Sequence, residues 1–175
     1  VAARRTLKRA VIQSGLEAVS LFSKTGLMSS ARGLGAIFTL HHVRPAMDKS
    51  FDPAAHLSVT PEFLGASIAR LKADGHVPVA LEDLPEFLAD PDRPGPAMVF
   101  TLDDGYRDND QFARPVFEKH GVPYTIFITG GFVDRTRSIW WETGEQLLGK
   151  VDEFVFDFGN GEERLPTRTA IEKYA

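Results

Sequence analysis

The stretch Ala97-Met98-Val99-Phe100-Thr101-Leu102-Asp103-Asp104-Gly105-Tyr106-Arg107-Asp108-Asn109 decides how the rest of the chain is read. An uncharged, mostly apolar run breaks off at two adjacent carboxylates and a glycine. Such a short apolar run reads as a strand. In α/β proteins the carboxyl ends of such strands are where ligands and catalytic groups collect. Neighbouring acids repel, so the pair calls for a cation, a proton or solvent to relieve it. One carboxylate could hold a metal while the other takes a proton from water. The plainer reading is a polar turn, with the acids capping the next helix and Gly105 relieving the backbone.

On the amino-terminal side, residues 2–22 read as an amphipathic helix with Leu7, Val11, Leu16 and Val19 near one stripe. Arg4, Arg5, Lys8 and Arg9 give it a basic start. The pattern breaks from Lys24 to Gly35, and Ala36-Ile37-Phe38-Thr39-Leu40 then predicts a short buried strand ending in His41-His42. A loop with Pro45 and Pro53 leads to a well-punctuated helix. Thr60 can cap it, Pro61 suits its first turn, Leu64, Ile68 and Leu71 form its apolar stripe, and Gly75 stops it. A strand is expected over 77–80 and a brief helix over 84–88, with Pro85 in its first turn.

Beyond the acid pair, a helix over 111–120 should end at Gly121-Val122-Pro123, before a strand over 124–128. A helix is expected over 139–148. Phe154, Phe156 and Phe158 alternate with Val155 and Asp157, which predicts a half-buried strand. A further helix should begin near Thr167. The alternation of strands and helices predicts a parallel α/β fold but does not separate an open sheet from a barrel. No Gly-x-Gly-x-x-Gly or Walker sequence points to a nucleotide.

The 175 residues suffice for one domain or part of a larger one, with 43% hydrophobic and 25% charged residues. Cysteine is absent, which excludes disulfides and thiolate metal sites. No apolar run approaches the roughly 20 residues of a membrane span. The net charge of -4 is unevenly spread: residues 1–44 carry about +6 and the remainder about -10. The basic segment is either a solvated helix face or a contact for anionic lipid. No cleavable signal peptide is evident, so a cytoplasmic or membrane-peripheral location is expected. Nucleic acid is not expected as a partner, since the basic segment lacks a reading motif.

The segment around Thr101-Leu102-Asp103-Asp104-Gly105 closely resembles the first signature of the polysaccharide deacetylases, the carbohydrate esterases sharing the NodB homology domain. Their Thr-Phe-Asp-Asp-Gly sequence supplies a general base followed by a metal ligand. The resemblance thus implies Asp103 as base and Asp104 as ligand, with Leu102 in place of the usual phenylalanine. Leu40-His41-His42-Val43 is similar to the Tyr-His-x-Val/Ile segment of some members, which implies His41 as general acid. Because neighbouring strand residues point to opposite faces, only one of His41 and His42 should readily face the site. Tyr106 and Trp141 are candidate substrate-binding residues. His56, His76 and His120 are expected to be structural or solvent-facing.

The resemblance implies an irregular seven-stranded (β/α) barrel, incomplete in this chain. Residues 1–34 would form an N-terminal helix and linker, and residues 35–175 the N-terminal part of the catalytic domain. The family's His-x-x-x-His and Arg-x-Pro elements do not occur here. They are expected beyond residue 175, the other possibility being a member without its chemistry. The implied activity is removal of N-acetyl groups from an aminosugar glycan, using a divalent metal such as zinc or cobalt. The rivals are hydrolysis of another linear or cyclic amide and glycan binding without catalysis.

Overall fold

A computed structural model describes residues 2–25 and 33–174, without the side chains of 2–6, 23 and 24. Most of the expected break between Lys24 and Gly35, and the side chains of Arg4 and Arg5, lie outside the described residues. Helix α1 (Ala2–Lys24) is exposed at every described side chain, Leu7, Val11, Leu16 and Val19 included. Among the described residues no helix is long and apolar enough to cross a membrane.

The centre of the fold is strand β5 (Ala97–Leu102), buried at all six positions. It pairs in parallel along its whole length with β1 (Gly35–Leu40) on one side. On its other side lie two short parallel partners, β4 (Val77–Pro78) at its start and β6 (Thr125–Ile126) at its end. This four-stranded sheet is open.

The two faces of β5 serve two apolar clusters, which is why its sequence is a continuous apolar run rather than an alternating one. Met98, Phe100 and Leu102 pack with Leu64 and Ile68 of α2 (Pro61–Ala73) and Phe117 of α4 (Arg114–His120). The Phe117 ring lies 4.6 Å from Tyr124 and 5.3 Å from Phe100, centroid to centroid. Ala97 and Val99, on the opposite face, join Val79, with Leu84 and Phe87 of α3 (Leu84–Ala89) packed against them.

Local signals account for the helix ends. The Thr60 side chain accepts a hydrogen bond from the Phe63 N–H, and Pro61 occupies the first helical position, where its missing N–H costs nothing. Gly121, with φ +59°, ends α4 in the left-handed conformation that glycine adopts without a Cβ penalty.

Three expectations need correction. Strand β1 is not buried: Ile37 is half exposed, and only Phe38 and Leu40 pack against the core. It flanks β5 at the margin of the described sheet, so one of its faces meets solvent. The helix expected from Gln111 starts earlier, with a wide π-type turn at Asn109–Ala113 running directly into α4. The phenylalanine-rich segment forms a strand, but not a half-buried one. Strand β7 (Glu153–Asp157) pairs antiparallel with β8 (Glu162–Pro166) in a separate hairpin, leaving Phe156 and Phe158 exposed. Period-two alternation reports a two-faced strand but carries no information about its partner.

Two further short strands lie off the sheet, β2 (His42–Val43) and β3 (Ser58–Val59), paired in parallel. A short 3-10 helix at Ala55–Leu57 and helices α5 (Gly130–Val133), α6 (Trp140–Lys150) and α7 (Ala170–Lys173) complete the described elements, α7 opening on a capping box between Thr169 and Glu172.

Candidate active site

The parallel register places the acid pair. Leu40 and Leu102 are partners in the β1–β5 ladder, so the residues that follow, His41 and Asp103, emerge side by side at the carboxyl edge of the sheet. The Asp103 N–H donates to the Leu40 carbonyl at 2.9 Å, continuing the ladder by one bond. From β6, the Phe127 N–H donates to the Leu102 carbonyl at 2.8 Å, so Asp103 follows a backbone held from both sides. His41 Nε2 lies 3.9 Å from Asp103 Oδ2, too far for a hydrogen bond but within reach of a charge interaction. Both side chains remain about one-third exposed.

The chain then turns sharply. Asp104 and Gly105 adopt φ +68° and +70°, two left-handed residues in succession. Aspartate and glycine are among the few residues that tolerate this region. A Cβ on Gly105 would meet Ile128 Cγ1 at 3.3 Å, so the turn is also tight against β6's continuation. The turn delivers Asp104 to an open cavity of roughly 400 Å³, where it joins His41, His56, Trp141 and Glu145.

His42 and His41 lie in different surroundings. His42 is 3% exposed, with Nδ1 2.7 Å from Asp108 Oδ2 and its ring tilted against that of Tyr106, centroids 3.7 Å apart. Tyr106 lies behind the cavity wall rather than on it: it is buried, and its hydroxyl oxygen accepts from Trp141 Nε1 at 2.8 Å. Burial pushes the Tyr106 phenol up to about 12, reinforced by the charges of Asp104 and Glu142 and opposed by the Trp141 hydrogen bond. That bond orients Trp141, half-buried on the cavity wall, while Trp140 stands exposed beside it.

Four residues enter the site's surroundings without having been assigned roles from sequence. Asp108 and Asn109 belong to the decisive stretch, but nothing in the pattern says that they reach back to residues 41–43. Asn109 Nδ2 donates to the His41 carbonyl at 2.8 Å, and the Val43 N–H donates to Asp108 Oδ1 at 3.4 Å. His56, expected to be structural or solvent-facing, is exposed and borders the cavity, with Nδ1 3.1 Å from the Pro53 carbonyl oxygen. Glu145 of α6 borders it too and accepts from Lys49 Nζ at 2.9 Å, tying the 44–57 loop to that helix. His76 and His120 lie away from this cavity.

Catalytic zinc normally takes three protein ligands. Among the described residues no group of three His, Cys, Asp or Glu side chains is placed to hold a metal, so Asp104 stands short of a full ligand set.

An open parallel α/β sheet thus carries a His–Asp pair and a second carboxylate at its carboxyl edge, the end where ligands collect in α/β folds. Residues 90–159, which include β5 and the acid pair, match the polysaccharide deacetylase family. No curated protein matches the chain. Among solved structures, the chain is similar to a de-N-acetylase from Aggregatibacter actinomycetemcomitans, with 16% identity and a TM-score of 0.48 over 77% of this chain and 45% of that one. It is also similar to the Streptococcus pyogenes deacetylase PplD, solved with acetate, at 19% identity and a TM-score of 0.48, covering 59% of this chain and 46% of that one. The chain thus spans less than half the length of either protein.

Proposed function

We propose that the protein containing this chain hydrolyses N-acetyl groups on an aminosugar glycan, releasing acetate and a free amine. The observation that carries the reading is the His41–Asp103 pair beside Asp104, with both acids inside the deacetylase-matching stretch and a cavity bordered by Trp141 next to them. Asp103 is the base that takes a proton from the attacking water. His41, on the facing strand end, is the acid that protonates the departing amine. Trp141 offers an aromatic face for a sugar ring, and its hydrogen bond to Tyr106 holds that face in one orientation.

A divalent cation, zinc or cobalt, is part of the proposal, with Asp104 as one of its ligands. Bound there it would polarise the amide carbonyl. The described residues do not complete its ligand set, so the roles given to Asp103 and His41 rest on their own geometry. Residues 35–175 are read as part of the catalytic domain, and residues 1–34 as an appended helix and linker whose basic character allows peripheral contact with anionic lipid.

The test is acetate release from N-acetylglucosamine oligomers by the natural protein that contains this chain. Acetate and new free amines, both abolished in Asp103→Asn, are the expected result. Oligomer binding without acetate release would overturn the hydrolase reading in favour of a glycan-binding protein.

A further inference from the structure

His41 lies one residue beyond β1, where the sheet no longer holds the backbone. The last ladder bond in this direction joins the Asp103 N–H to the Leu40 carbonyl. The carbonyl of His41 is met instead by a side chain, Asn109 Nδ2, at 2.8 Å. The same amide nitrogen donates to Asp108 Oδ1 at 3.1 Å. Asp108 in turn accepts from the Val43 N–H and lies 2.7 Å from His42 Nδ1. Residues 41, 42 and 43 are therefore each gripped by one of two neighbouring side chains.

Asn109 is 1% exposed, and among the described residues its buried Oδ1 has no hydrogen-bond partner. An unsatisfied buried polar atom is costly, so this amide is not a filler chosen for stability. Its two donor bonds are what it contributes. The wide π-type turn beginning at Asn109 sets this side chain beneath the end of β1, and such turns often accompany functional sites. Asp103 and Asn109 also lie on one short segment, so the base and the brace for the acid are carried by the same stretch of chain.

We infer that Asn109, braced by Asp108, is the positioning residue that sets His41 against Asp103. The inference rests on the deacetylase reading for its catalytic consequence but not for its geometry. A misplacement of about 1 Å can cost on the order of 100-fold in rate, so a single hydrogen bond to the His41 backbone is enough to matter.

The test uses Asn109→Ala and Asn109→Ser in the natural protein, neither able to span to the His41 carbonyl. Two measurements are made: proton NMR contacts of the His41 ring with Asp103 and of the His42 ring with Tyr106, and acetate release from N-acetylglucosamine oligomers. The expected result is loss of the His41–Asp103 contacts with the His42–Tyr106 contacts kept, and a fall in kcat of about tenfold or more with KM within about twofold. Unchanged His41–Asp103 contacts would overturn the inference whatever the activity. Unfolding of both variants would also overturn it, making Asn109 a folding residue only. Loss of the contacts in a protein whose wild type releases no acetate would support the brace and overturn the deacetylase reading.

Discussion

His41 Nε2 and Asp103 Oδ2 face each other across 3.9 Å because the strands that carry them run in register, Leu40 beside Leu102. The two residues stand 62 positions apart in the sequence, and one rung of a parallel ladder brings them together. In the proposed reaction this is the acid–base pair, and their partial exposure leaves both reachable by substrate and water.

Asp103→Asn and His41→Gln should therefore each reduce kcat by about 100-fold or more, the usual contribution of a general acid or base. The fold should persist, because the Asp103 N–H that binds Leu40 belongs to the backbone and survives both changes. Acetate release alongside thermal melts checks this. Wild-type-like kcat in Asp103→Asn would remove the base assignment.

Tyr106 should make stability depend on alkaline pH. Its phenol is pushed up to about 12 in the folded protein, mainly by burial, against roughly 10 in an unfolded chain. Between those values the unfolded chain releases this proton while the folded one keeps it. The unfolded state then binds fewer protons, so stability falls as pH rises through this window and is unaffected below it. Denaturant melts from pH 9 to about 12 should show a shallower decline in Tyr106→Phe than in the wild type. The substitution should also cost roughly 1–3 kcal/mol at neutral pH, since Trp141 Nε1 loses its acceptor.

Gly105→Ala places a Cβ at φ +70° and 3.3 Å from Ile128 Cγ1. The left-handed backbone alone costs about 1–2 kcal/mol for a residue with a Cβ. Equilibrium unfolding should register that loss. A rate effect beyond it is also expected, because the same turn carries Asp104 to the cavity. Unchanged stability would mean that the turn accommodates a side chain without strain.

Phe117→Ala should be among the most damaging core changes, at about 3–5 kcal/mol. The ring is fully buried between Phe100 and Tyr124 and joins α4 to the central strand. Thr60→Ala, which removes only the cap accepting from Phe63 N–H, should cost about 1 kcal/mol. Chemical denaturation of the two variants side by side should preserve that order.

Helix α2 was legible almost residue by residue, because cap, first-turn proline and apolar stripe all act within a few residues of one another. The acid pair was legible for the same reason: an apolar run ending in Asp103-Asp104-Gly105 announces a strand end and a turn by itself. The phenylalanine alternation at 154–158 was legible as a strand but not as half of a hairpin, since its partner β8 is a charged segment with little strand signal of its own. Asp108, Asn109 and His56 were in plain view, yet their positions relative to His41 and Asp104 depend on how distant segments pack.

What the sequence by itself determined was local: β5 as an apolar strand, the capped helix α2, the turn at Asp104-Gly105, and the chemistry of the side chains at strand ends. These follow from backbone preferences and apolar periodicity over a handful of residues. Tertiary structure decided which chemical groups meet. Ladder register put His41 beside Asp103, Asn109 reached across to the His41 carbonyl, and Trp141, bonded to the buried Tyr106 behind it, came to border the cavity. The physical reason is that hydrogen bonds and charges act over a few ångströms, and only packing brings residues so far apart in the chain within that range.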